Sequence, residues 1–280
     1  MKFSAIFSGA LLASLAAAAP HARAGPQERE SRLAKRVARR EAATRTGMSK
    51  PMAPVAAADL EEEGLINSTH ISYSSNWAGA VYEEPPSGTF TAVAATITVP
   101  VPSATAVGTY SASAWVGIDG DTYGNAILQT GVDFTAKKTS STTKTSFDAW
   151  YEWYPDYAYD FSLDVDAGDV IYMSVTSTSS KAGKAVIENL TTGKTVTKSL
   201  TSSSALGGEN AEWIVEDYES GGSLVNFADF GTVLFTGATA KTNTETVGTS
   251  DASIIEIKQS KSVLTTVTIP SSSEVKVVYA

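Results

Sequence analysis

Gln129, Glu152, Glu212 and Glu216 are among the side chains left to do chemistry in this 280-residue sequence, because the usual agents are missing. Cysteine is absent, and histidine occurs only at His21 and His70. A thiol nucleophile is excluded. A Ser-His-Asp triad and nearly every catalytic zinc site need a positioned imidazole, which the bulk of the sequence does not offer. Carboxylates, amides, tyrosines and lysines remain. The stretch DGDTYGN hints at a calcium loop, with Asp119, Asp121 and Asn125 as oxygen donors. The EF-hand pattern fails there, since Tyr123 stands where a ligand is wanted and Thr130 where the bidentate glutamate belongs. No metal or other cofactor is expected.

These residues sit in segments that alternate like strands. In AILQTGVDF, Ala126, Leu128, Val132 and Phe134 share one face, and Gln129 and Asp133 the other. In the same way Trp115, Gly117 and Asp119 share a face, as do Asp148, Trp150 and Glu152, and Glu212, Ile214, Glu216 and Tyr218. Solvated strand faces more often carry Lys, Ser and Thr, as residues 191–204 do. A groove walled by Trp115 and Trp150, with Asp119, Gln129, Glu152 and Glu216 as its polar groups, is the expected arrangement. The plainer alternative ties strands together with a buried Gln129 and leaves Glu216 as an edge acid. Trp153 and Trp213, on the opposite faces, suit core packing. Chemistry alone leaves more than one function open. Glu152 with Glu216 would also make the carboxylate pair of a glycoside hydrolase, and Trp115 with Trp150 the platforms of a sugar-binding module.

Positioning such a groove needs a stiff frame, and the sequence after residue 70 supplies one. Short runs of Val, Ile, Thr, Tyr and Trp are separated by Gly, Ser, Asn and Asp, without sustained helical periodicity, which predicts an all-β sandwich or barrel in one domain. Residues 200–209 read as a loop. Ahead of this domain, Lys2 and the apolar run to Ala19 form a signal peptide cut between residues 19 and 24. Residues 20–58 carry nine Lys or Arg against Glu28, Glu30 and Glu41, a net +6, whereas the chain beyond residue 69 carries eleven Lys against twenty-three acids, a net −12. A basic leader before an acidic domain reads as a prosegment that lies on it electrostatically. The expected division is prosegment 20–69 and catalytic domain 70–280, with the mature start between 41 and 72. Sequons at Asn67 and Asn189 are glycosylation candidates on a secretory route.

The stretches SNWAGAV (75–81), AWVGIDGDT (114–122), AILQTGVDF (126–134), DAWYEWYP (148–155), ENLTTGK (188–194), NAEWIVEDYE (210–219) and VNFADFG (225–231) together resemble the glutamic peptidases, the G1 or eqolisin family. The resemblance implies a concanavalin-like sandwich of two antiparallel, seven-stranded sheets and a secreted acid endopeptidase. It implies a catalytic pair of Gln129 and Glu216, with Glu212 the competing acid. Trp115, Asp119, Asp133, Asp148, Trp150 and Glu152 would line the substrate cleft. The implied partners are protein or peptide substrates and the chain's own prosegment as inhibitor, with no nucleic acid or membrane, and a monomeric mature form. Family members carry cysteines near the DGDT turn, where this chain has Tyr123, which leaves the rigidity of that turn to be explained.

Overall fold

The computed structural model describes residues 45, 47–56, 60 and 71–280; the signal sequence, most of the leader and the Asn67 sequon lie outside them. From residue 71 onward the regular structure is all strand, as the alternation predicts. The front sheet runs in the order Ser253–Gln259, Trp77–Tyr82, Ala211–Glu216, Gly108–Ile118, Ile127–Lys138 and Thr143–Tyr154, with Ile71–Ser74 added beside the first. The back sheet runs Lys194–Thr201, Ala182–Asn189, Val170–Ser179, Phe90–Thr98, Thr232–Thr242, Glu274–Tyr279 and Thr265–Ser271. Each sheet therefore has seven principal strands, and two-residue pieces extend them to ten and eight. Most pairings are antiparallel, but Ile71–Ser74 on Ser253–Gln259 and Asn226–Phe227 on Gly108–Ile118 are parallel.

The core lies between the sheets. Ala112, Ala114, Val116, Leu128, Val132 and Phe134 of the front sheet meet Val93, Ile97, Ile171, Met173, Val175, Ile187, Phe235 and Val275 of the back. Trp153 and Trp213 belong to this core, and each satisfies its indole N–H on a carbonyl, Ser204 O at 2.9 Å and Ala94 O at 3.0 Å. Burying large rings with the donor paired avoids the cost of an unsatisfied polar group. Burial on this scale supports a domain without disulfides.

The front sheet's other face is the unusual one. Trp77, Val81, Trp115, Ile127, Trp150, Ile214 and Ile255 form a second buried cluster there, with Met52 and Tyr154 packed against it. Gly131 makes room for Trp115, since a Cβ at 131 would stand 2.5 Å from the Trp115 Cβ and 2.4 Å from Ala114 O. The indole can therefore lie against the strand Ile127–Lys138.

Candidate active site

Strand register alone brings the polar side chains onto that apolar floor. Gln129 lies opposite Glu152 on one side and Gly117 on the other, and Asp133 opposite Asp148 and Ser113. Across Gly108–Ile118, Glu216 lies opposite Ser113 and Glu212 opposite Gly117. Directly paired residues share a face, so Gln129, Asp133, Asp148, Glu152, Glu212 and Glu216 all project from the side that carries Trp115 and Trp150. The polar face expected from alternation is present, without Asp119.

A peptide occupies it, and the peptide is the chain's own leader. Arg45 grips Asp133 with two hydrogen bonds, Nε to Oδ2 at 2.8 Å and Nη2 to Oδ1 at 2.7 Å. Its guanidinium lies 3.9 Å over Trp150 and 4.7 Å from Tyr218, and Nη1 is 3.6 Å from Glu152 Oε2. Planar stacking together with a bidentate carboxylate suits arginine and not lysine. Gly47–Met48 then pairs antiparallel with Glu219–Ser220. The Ser49 N–H donates to Glu152 Oε2 at 3.3 Å, and the Ser49 hydroxyl hydrogen-bonds Glu216. The Lys50 N–H donates to Glu216 Oε1 at 3.0 Å, while Lys50 O accepts from Trp77 Nε1 at 3.0 Å.

The groups around this peptide are fixed from below. Trp115 Nε1 donates to Glu216 Oε2 at 3.0 Å, Trp150 Nε1 donates to Ser113 Oγ at 3.0 Å, and Gln129 Nε2 donates to Glu152 Oε2 at 3.3 Å. Gln129 Oε1 is buried without a hydrogen-bond partner. Burial pushes Glu152 up to about 8, against the opposing pull of Arg45. Burial also pushes Glu216 up to about 7, opposed by the Lys50 N–H, Ser49, Arg45 and the Trp115 indole. Glu212 is a different case. It is sealed in, both carboxyl oxygens lack partners, and burial with Asp119 and Asp121 nearby holds it well above the ordinary glutamate range. Of the two acids in EWIVE, Glu216 alone is recorded in contact with the bound peptide.

Asp119 departs from the expectation that it lines the cleft. The strand ends at Ile118, Asp119 takes φ of 70°, and the alternation loses its phase. Its carboxylate accepts N–H bonds from Gly207, Gly208, Glu209 and Asn210 at 2.8, 3.0, 2.7 and 3.3 Å. Asn210 Oδ1 in turn accepts from the Asp121 and Tyr123 N–H groups at 3.1 Å each, and Tyr123 OH donates to Ala205 O at 2.9 Å. Hydrogen bonds thus secure the cysteine-free turn. Asp119→Ala would leave several buried N–H groups without an acceptor and should cost on the order of 3 kcal/mol or more. Thermal unfolding at pH 4 checks this, with a clear drop in Tm expected.

Asp148 is exposed beside Asp133 at the groove's end, its carboxyl raised by partial burial and by Asp133. Asn189 does not fit its sequon. It is fully buried, and its Nδ2 donates to Asp169 Oδ2 at 2.7 Å and Asp164 O at 3.3 Å, which leaves no room for a glycan in the folded domain. Arg45, Ser49, Asn76 and Trp77 are the site residues that sequence reasoning did not single out, and Tyr218 was placed on the right face without a role. For Trp77 a signal existed, since SNWAGAV places Trp77, Gly79 and Val81 on one strand face.

Residues 75–279 match the Peptidase A4 family. The chain is 46% identical to aspergillopepsin-2 of Aspergillus niger over 98% of both chains, and 38% identical to scytalidopepsin B of Scytalidium lignicola over 92% of both. Among solved structures it is similar to scytalido-glutamic peptidase with a peptide-based transition-state analog, with a TM-score of 0.64 and 40% identity, covering 74% of this chain and 98% of that one. It is also similar to aspergilloglutamic peptidase from Aspergillus niger, with a TM-score of 0.57 and 55% identity over 61% of this chain and 99% of that one. These likenesses decide between the peptidase and the sugar-directed alternatives: the chain belongs to the Peptidase A4 family of glutamic peptidases, hydrolases of peptide bonds.

Proposed function

We propose that the chain is the zymogen of a secreted acid endopeptidase in which Glu216 and Gln129 act together on a water molecule and a peptide carbonyl. The supporting observation is the leader peptide in the groove, with backbone N–H groups donating to both Glu216 and Glu152. Ionised Glu216 takes a proton from water as the oxygen bonds to the carbonyl carbon. The carbonyl oxygen becomes an oxyanion, which the Gln129 amide N–H stabilises. The intermediate collapses with cleavage of the C–N bond, and Glu216 returns its proton to the departing nitrogen, giving a free acid and a free amine. An amide suits the second role because it donates without titrating. No cofactor enters the scheme, and the active form is a monomer.

Residues 45–56 hold this machinery silent in two ways. The Ser49 hydroxyl and the Lys50 N–H occupy the positions around Glu216 that water and substrate need. The segment also covers Glu216, so that bulk water does not reach the acid while residues 45–56 are in place. Departure of the segment relieves that burial.

Digestion of an unfolded protein by the acid-activated chain, followed from pH 2 to 8, tests the reading. Hydrolysis should be greatest below pH 5 and absent at pH 8, and an optimum at neutrality would overturn it. The position of the segment adds a second expectation. Active protein must begin after residue 56, since anything retained from 45 to 56 would stay in the groove. Mass spectrometry of the activated chain should therefore place the mature terminus between 57 and 70.

A further inference from the structure

Beyond Lys50 the bound segment is held in another manner. Asn76 is nearly fully buried, and its Oδ1 accepts the Ala53 N–H at 2.9 Å while its Nδ2 donates to Pro51 O at 3.2 Å. Ser74 Oγ donates to Asn76 Oδ1 at 2.8 Å and so fixes the amide's orientation. The edge of Ile71–Ser74 continues the grip: the Ser75 N–H donates to Ala53 O at 2.9 Å and the Val55 N–H to Tyr73 O at 3.0 Å. Each of these bonds to residues 51–55 ends on a backbone atom. Arg45, by contrast, is held through its side chain.

We infer that Asn76 and the edge Tyr73–Ser75 form a sequence-tolerant subsite that grips the substrate backbone on the C-terminal side of the scissile bond, with Asn76 as a positioning residue. The inference rests on the peptidase reading above, and on substrates following the direction of residues 45–56. Adding an extended peptide to an open sheet edge satisfies main-chain groups whatever the side chains are. An amide that accepts one backbone N–H and donates to a carbonyl two residues earlier measures strand spacing. Binding energy gained there, away from the reacting bond, holds the carbonyl against Glu216 and Gln129.

The test uses acid-activated protein from the full chain and two peptides of one sequence cut at the same bond. One ends a single residue after the cut and the other five residues after it. Wild type should cleave the longer peptide with kcat/KM about tenfold higher, as two or more added hydrogen bonds imply. Asn76→Ala should reduce that ratio below about threefold while leaving the short peptide nearly unaffected. The ratio is taken within one preparation, so partial misfolding cancels. Should Asn76→Ala not fold, Asn76→Asp keeps shape and acceptor and should lose part of the ratio at pH 5. Equal loss on both peptides would overturn the inference, as would a ratio unchanged in the variants or a gain that follows extension on the N-terminal side instead. Failure of the peptidase reading is distinguishable, because neither peptide would then be cut.

Discussion

Glu216→Gln should lower kcat/KM for peptide hydrolysis by at least 10²–10⁴-fold, the range that a positioned proton-transfer group contributes. The substitution keeps the side chain's shape and its contact with the Trp115 indole, so the fold should survive. It removes the only group in the scheme able to take a proton from water and return it to the amine. Glu212→Gln is the matched control, four residues earlier on the same strand face. Its acid is sealed and unpartnered, and no contact with the bound segment involves it. Activity at pH 4 should stay within about threefold of wild type, since nothing acting in the transition state is removed. Both rates can be read on one chromogenic peptide, normalised to active protein by folded fraction. The reverse pattern would transfer the catalytic role to Glu212.

Raising the pH from 4 to 7 should destabilise the mature domain strongly. Burial pushes Asp217 up to about 7, and Glu212 is raised well above its usual value, without any contribution from residues 45–56. For Asp217 the Gln259 amide opposes the shift through one oxygen, while the other oxygen has no partner. An acid whose folded pKa exceeds its unfolded one holds its proton in the fold at pH values where the unfolded chain has already released it. The unfolded state then binds fewer protons, and stability falls as pH rises. The contribution is complete below about pH 4, the unfolded range. It drains away through the window up to about 7 given by Asp217. Each such group costs about 1.4 kcal/mol per pH unit. Calorimetry should therefore show Tm lower at pH 7 than at pH 4 by on the order of 10 °C. Glu212→Gln should recover part of that loss at pH 7 and change little at pH 4, because a neutral amide replaces a group that must otherwise ionise without a partner. A Tm that is flat or rises toward neutrality would contradict this.

Much of the frame was legible because period-two alternation is a direct consequence of strand geometry. AILQTGVDF and DAWYEWYP declare their two faces, and the structure pairs them in register with Gln129 opposite Glu152. Asp119 was misplaced for a physical reason. Alternation holds only while the strand lasts, and the left-handed turn after Ile118 redirects the next side chain toward the loop 207–210. Arg45 was beyond reach for another. Within a leader of nine basic residues, nothing local separates it from Arg36, Arg39 or Arg40. Its role is created by Asp133, Trp150 and Tyr218, which only the folded sheet brings together. The Asn189 sequon failed similarly, since a three-residue pattern carries no information about the burial of its asparagine. The pairing of Gln129 with Glu216 came from the family resemblance and not from composition. Register alone sets Gln129 in line with Glu212, and it is the contact of the bound peptide with Glu216 that favours the latter.

The central claim is that Gln129 and Glu216 serve one tetrahedral intermediate, and a double-variant cycle in kcat/KM at pH 4 tests it most directly. Gln129→Ala alone should lose about a hundredfold or more, as removal of an oxyanion donor does. The double variant Gln129→Ala/Glu216→Gln should be scarcely worse than Glu216→Gln, because groups that act as a unit are not additive. Near-normal hydrolysis by Gln129→Ala, or losses that multiply in the double variant, would contradict the account.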